Sequence, residues 1–172
     1  MAEKAAKPSD LDKTKLQELV AESDTGGRAP KGGVAMALML TALAWSLFQL
    51  WYASPLPYVF GVLVFNATEA RSIHLAFAMF LTFTAYPAFK RSPRATIPAI
   101  DWVFAVVGAL SAGYIFLFYA QLSTRPGQPT TMDLVAAVTG MVLLLEAARR
   151  ALGPAMVIVA VVFLGYVFGG PY

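Results

Sequence analysis

No cysteine occurs in the chain. Disulfides, thiol catalysis and cysteine-ligated metals are excluded with it. There is one histidine, His74, so a multi-histidine metal site cannot be assembled within a single chain. Charge is scarce as well: 13% of the 172 residues are Asp, Glu, Lys or Arg, and the net charge is only +3. The basic residues sit in tails and loops, a pattern that speaks for membrane topology and against nucleic-acid binding. No glycine-rich phosphate loop, no paired carboxylates within one apolar segment and no nucleophile–base pair can be read. The sequence therefore predicts no catalytic residue, no cofactor and no metal.

Apolar side chain is what the chain has in abundance, with 58% hydrophobic residues and a mean hydropathy of +0.64. A soluble domain could not cover that much apolar surface, so the expectation is an all-α integral membrane protein. Residues 1 to 33 read as a cytosolic polar tail. Within it Ser9-Asp10-Leu11-Asp12 resembles a capping box, and Leu16, Leu19 and Val20 fall on one side of a short helix. Asp24-Thr25-Gly26-Gly27-Arg28 ends that helix, with Pro30, Gly32 and Gly33 as a loose linker. No cleavable signal peptide is expected, because the first long apolar run follows more than thirty mostly polar residues.

Residues 34 to 150 then read as a membrane domain of four helices. The first span runs from Val34 to Ala53, uncharged, with Trp45, Trp51 and Tyr52 toward its far end. At 1.5 Å per residue it covers roughly 30 Å, the thickness of the hydrocarbon layer. Tyr58 to Phe65 is apolar but too short to cross, and suits an interfacial or re-entrant segment. Asn66 to Arg71 is polar and returns the chain to the surface. The second span is expected from Ser72 to Phe89, with His74 in its first turn and Pro87 in its last. The third runs from Asp101 to Gln121 and the fourth from Met132 to Arg150, where the arginines snorkel to the interface. Gly153-Pro154 breaks the helix. Residues 151 to 172 form a fifth segment, apolar from Ala155 to Phe168.

The positive-inside rule supplies an orientation. With the N-terminus in the cytoplasm and five crossings, Lys90, Arg91 and Arg94 lie inside with the tail, as do Arg149 and Arg150, and only Arg71 and Arg125 fall outside. Asp101 and Asp133 sit at helix starts, where a carboxylate caps the chain and complements the dipole. Glu146, Arg149 and Arg150, spaced i, i+3, i+4, share one helix face. The simplest reading is an intrahelical ion pair at the inner surface, the alternative a contact to another subunit or to anionic headgroups. Each such charge at the bilayer centre costs about 2.5 to 3.5 kcal/mol, which argues for a surface or a polar seam. Ala105, Ala109 and Gly113 repeat at four-residue spacing, as do Gly108 and Ala112, and small residues so spaced let helices approach closely. Ala136 and Gly140 are the matching candidates on the fourth helix. Gly113→Leu is accordingly expected to weaken assembly. Glu69, Arg71 and His74 are the remaining polar candidates near the apolar segments.

Four stretches carry a family resemblance: Asp24-Thr25-Gly26-Gly27-Arg28, Arg71-Ser72-Ile73-His74-Leu75, Leu144-Leu145-Glu146-Ala147-Ala148-Arg149-Arg150-Ala151-Leu152-Gly153 and Phe168-Gly169-Gly170-Pro171-Tyr172. In order and spacing they resemble the N-terminal part of the fused permease of tripartite ATP-independent periplasmic (TRAP) transporters, in the branch that works with TAXI-type binding proteins. The resemblance implies a secondary active importer of the bacterial inner membrane, a symporter driven by sodium or protons. A periplasmic solute-binding protein would deliver an organic acid or related solute. It also implies a small four-helix scaffold, an extra crossing, and a large permease part that carries the transport site. That large part is missing from these residues, so the chain is expected to be either a separate small subunit with an extra helix or the start of a longer polypeptide, the abrupt end at Pro171-Tyr172 favouring a fragment or split gene. No transport-site residue is carried over. Two other readings compete: a small homo-oligomeric channel or transporter lined by Glu146, Arg149 and Arg150, and a membrane enzyme using Glu69 and His74.

Overall fold

The computed structural model describes residues 27–28, 30–89 and 92–170. The expected tail helix around Leu16, Leu19 and Val20 lies outside them. Among the described residues the only regular structure is helical. The helices are α1 (Gly33–Ala53), α2 (Leu56–Phe60), α3 (Ala67–Ala85), α4 (Ala99–Leu117), α5 (Tyr119–Ser123), α6 (Thr131–Leu152) and α7 (Pro154–Gly169). Three of them, α1, α4 and α6, are long and apolar enough to cross a membrane, while α7 is a shorter apolar helix.

The second expected span moves toward the N-terminus. Asn66 and Thr68 are exposed, and with Glu69 this polar stretch forms the start of α3. The Asn66 side chain accepts the backbone N–H of Thr68 and Glu69, both at 2.9 Å. Glu69 Oε2 in turn accepts the N–H of Asn66 at 3.0 Å, which closes a capping box. Because the helix begins this early, His74 lies two turns into it and not in its first turn. α3 also ends early, at Ala85, because Tyr86 precedes Pro87 and takes an extended conformation. The third expected span shortens for a different reason: α4 stops at Leu117, and the chain turns at Phe118 into the separate short helix α5. α6 starts at the Thr130–Asp133 capping box.

The core lies between α3, α4 and α6. Met79 and Phe83 of α3 meet Ala105 and Ala112 of α4 and Leu143 and Ala147 of α6, flanked by Leu75, Ala76, Phe80 and Phe104. α3 and α4 share the most extensive contact; α1 packs on α3 and α2, and α7 packs on α6. The structure is thus a three-helix core with one helix laid against each side. On α4 the residues that face this core are Ala105, Gly108 and Ala112, spaced i, i+3, i+7 on one face. A Cβ on Gly108 would stand 3.0 Å from Met79 Cε and 3.4 Å from Phe83 Cε2. Gly113 does not belong to this face: a Cβ there meets nothing within 4 Å among the described residues. Ala109 is half-buried. A Cβ on Gly140 would stand 3.4 Å from Ser111 Cβ, and Ala136 borders the same groove between α4 and α6.

The segment between α1 and α3 is pinned by aromatic contacts. Trp51 stacks on Phe60 at 6.3 Å, and Phe65 meets Phe48 at 6.0 Å and Phe116 at 5.8 Å. Tyr58, Val59 and Phe60 are exposed, so this turn presents an apolar knuckle.

Candidate functional site

One end of the bundle carries a connected set of charged side chains. Asp101 sits in the first turn of α4, yet no side chain caps that helix, whose N-cap is Pro98. Its carboxylate is 2% exposed and joins two arginines. Arg28 donates through Nη2 to Oδ2, and Arg150 donates through Nη1 to Oδ1 at 2.8 Å. The expected capping role for Asp101 is therefore replaced by a buried bridge between segments far apart in sequence.

Arg28 reaches the bridge from the stretch before α1. Its backbone N–H donates to the Ala85 carbonyl at 2.7 Å. Its guanidinium also donates to the carbonyls of Phe83 at 3.1 Å, Thr84 at 3.4 Å and Pro93 at 3.4 Å. The Phe83, Thr84 and Ala85 carbonyls are free to accept because α3 ends there and its last C=O groups have no intrahelical partner, while Pro93 belongs to the loop that follows. The residue just before the expected linker, Arg28, is thus docked on the bundle. Spacing along the chain could not reveal this, because Arg28 and Asp101 lie 73 residues apart.

Glu146, Arg149 and Arg150 behave in part as expected. Glu146 is paired within α6 to Arg149 at 2.7 Å and to Arg150 at 2.8 Å. Arg150, however, is turned inward. Its side chain is 2% exposed and lies against Phe83 at 4.9 Å and Phe104 at 5.8 Å. Arg149 stays nearer the surface, over Phe89 at 5.4 Å, and donates to the Ala88 carbonyl at 3.0 Å. Arg28, Asp101, Arg150, Glu146 and Arg149 form one chain of ion pairs that ties the pre-α1 segment to α3, α4 and α6.

The opposite end is tied differently. Ser72 Oγ donates to the Ala112 carbonyl at 2.7 Å and accepts the Phe116 N–H at 3.1 Å, locking α3 to the last turn of α4. Asp133 serves as the expected helix-start residue and does more. It accepts the Thr130 N–H at 2.7 Å, the Tyr114 hydroxyl at 2.7 Å and the Arg125 guanidinium at 2.9 Å. The bonds made by Ser72 and Tyr114 are not legible in the sequence, since a lone hydroxyl in an apolar run carries no signal of its partner.

The remaining polar candidates separate. Glu69 caps α3. His74 accepts at Nδ1 from the Trp45 indole N–H at 3.4 Å, with the Gln49 amide nitrogen 3.2 Å from the same atom. Arg71 borders both the α1–α3 cleft and the groove between α3, α4 and α6. Glu69 and His74, five residues apart on α3, are held by different partners, so the structure does not bring them into one catalytic pair. Among the described residues no three His, Asp or Glu side chains gather to hold a metal. The chain matches no protein-family model, no curated protein and no solved structure.

Proposed function

We propose that the chain is the membrane scaffold part of a TRAP transporter permease of the TAXI-linked branch. In this reading α1, α3, α4 and α6 are the four small-permease helices. α7 is the fifth crossing, leading toward a large permease subunit or domain. The Asp101 end faces the cytoplasm of a bacterial cell, and the bundle braces a moving partner during ion-gradient-driven uptake of an organic acid or related solute. A periplasmic binding protein delivers that solute.

One arrangement carries the reading: a small core tied at both ends by side-chain networks, with two apolar helices outside it, the long α1 and the shorter α7, that bury none of their residues in the chain. A brace needs both a centre that resists deformation and apolar surface left for lipid and partner. The hydrogen-bonded charges answer the first need, since buried ion pairs fix geometry more than they add stability. Against the channel reading, the side chains that would line a path bond to one another, and Arg150 points into the core.

The test is affinity capture of the chain from its native membranes in mild detergent, with the intact mass of each recovered polypeptide. The expected result is a large, very hydrophobic companion, or one polypeptide several times 18.5 kDa that contains this sequence. Recovery of the 18.5 kDa chain only, alone or with copies of itself, would overturn the scaffold reading in favour of the channel.

A further inference from the structure

The cleft between α1 and α3, at the end of the bundle away from Asp101, has a volume of about 450 Å³. Its larger lining side chains are Phe48, Gln49, Tyr52, Arg71 and His74, and no carboxylate is among them. Two of these groups are donors without a protein acceptor among the described residues.

The first follows from the hydrogen bonds to His74. An indole N–H can only donate, so His74 Nδ1, 3.4 Å from Trp45 Nε1, is an acceptor. The Gln49 amide nitrogen, 3.2 Å away, donates to the same lone pair. A neutral imidazole that accepts at Nδ1 carries its proton on Nε2. The Trp45 ring packs edge-on against the imidazole at a centroid distance of 5.0 Å and holds its plane. The second donor is Arg71, three residues earlier and so on the same face of α3. Its guanidinium is always charged and presents a planar fork suited to carboxylate and phosphate.

We propose that this cleft binds an oxyanion, a carboxylate or a phosphate, with Arg71 as its ion-pair partner and the His74 Nε2–H as a second, oriented donor. An arginine alone at a membrane surface would extend toward water. His74, exposed like Arg71 and three residues further along the same helix face, would supply the second contact point. The anion is either a soluble one or the phosphate of a lipid headgroup. This inference is independent of the permease reading, because it concerns the isolated chain.

His74 is the only histidine, so ring ¹⁵N labelling gives the signals of one side chain. The experiment is ¹⁵N–¹H spectroscopy of the full chain in phosphate-free maltoside micelles, titrated in one arm with sodium acetate or inorganic phosphate. The other arm uses phosphatidylglycerol against neutral diacylglycerol. The expected result is a proton on Nε2 and a saturable shift of its signal. Arg71→Gln, which removes no hydrogen bond or ion pair among the described residues, should raise the half-saturation concentration at least tenfold. Trp45→Phe should also weaken the response by freeing the tautomer, while Lys31→Gln, at the other end of α1, should leave it unchanged. Saturation by acetate or phosphate assigns a soluble anion, and saturation by phosphatidylglycerol alone assigns a headgroup. A proton on Nδ1, no saturable shift with any probe, or an unchanged response in Arg71→Gln would overturn the proposal.

Discussion

Asp101 is the residue on which the charged end turns. Its carboxylate neutralises part of two arginines that are themselves almost fully enclosed. Removing one partner of a buried pair leaves the other charge uncompensated, which costs about 3–5 kcal/mol. Asp101→Ala should therefore destabilise the folded chain by about that amount, read by thermal unfolding in detergent followed by circular dichroism; a loss below about 1 kcal/mol would mean that water or detergent reaches the arginines. Arg28→Ala acts on the same network, so the double variant should lose less than the sum of the two single losses. Gly108 sets a different limit. Its missing Cβ is where Met79 and Phe83 sit, so Gly108→Leu overpacks the α3–α4 seam at about 1–3 kcal/mol. A Cβ at Gly113 meets nothing within 4 Å among the described residues, so Gly113→Leu should not lower the unfolding transition of the isolated chain. If Gly113→Leu still reduces recovery of a larger complex, the lost contact is with a partner and not within this chain.

At the scale of helices, α3 has the least span-like sequence of the long helices and the most central place. The two facts have one cause. A helix surrounded by others can carry Ser72 and Thr84, because each hydroxyl finds a carbonyl: Ser72 on α4 and Thr84 on its own preceding turn at 2.8 Å. On α1, which lies outside the core, Thr41 and Ser46 likewise bond the carbonyls of their own preceding turn, at 2.9 and 3.0 Å, so it is the bond across to a neighbouring helix, as at Ser72, that goes with the central place of α3. The junction of α6 and α7 depends on Gly153, whose φ of 88° and ψ of 174° suit glycine almost alone. Gly153→Ala should cost about 1–3 kcal/mol if α7 keeps its place against α6. A fluorophore pair spanning the two helices would show a changed separation if α7 swings away to relieve the strain.

For the molecule as a whole, the open quantity is the number of crossings. α7 has 16 residues, roughly 24 Å of helix, which is shorter than the hydrocarbon layer of about 30 Å. The absence of cysteine makes the chain its own background for single-cysteine labelling in intact cells. The five-crossing arrangement expects Ser123→Cys and Gly169→Cys to react with an impermeant maleimide from outside, and Ser92→Cys to react only after permeabilisation. Protection of Gly169→Cys together with Ser92→Cys, with Ser123→Cys still labelled from outside, would mean that α6 crosses and α7 stays on the cytoplasmic side. The scaffold proposal would then lose its linker crossing but not its core.

Composition and run length, by themselves, determined the all-helical architecture, the presence of helices long and apolar enough to cross a membrane, and the positions of α1, α4, α6 and α7 to within a few residues. Apolar periodicity and helix-breaking prolines act locally, so they can be read in order along the chain. The pairing of Glu146 with Arg149 and Arg150 was legible for the same reason, since three- and four-residue spacings meet on one helix face. Tertiary structure alone decided the rest. It chose Ala105, Gly108 and Ala112 over Gly113 as the packing face, because small residues at either register look alike until a neighbour occupies one side. It also brought Arg28 to Asp101, and Trp45 and Gln49 to His74. A buried charge or a donor–acceptor pair is satisfied by whatever the fold places within about 3 Å, and that proximity has no counterpart in sequence separation.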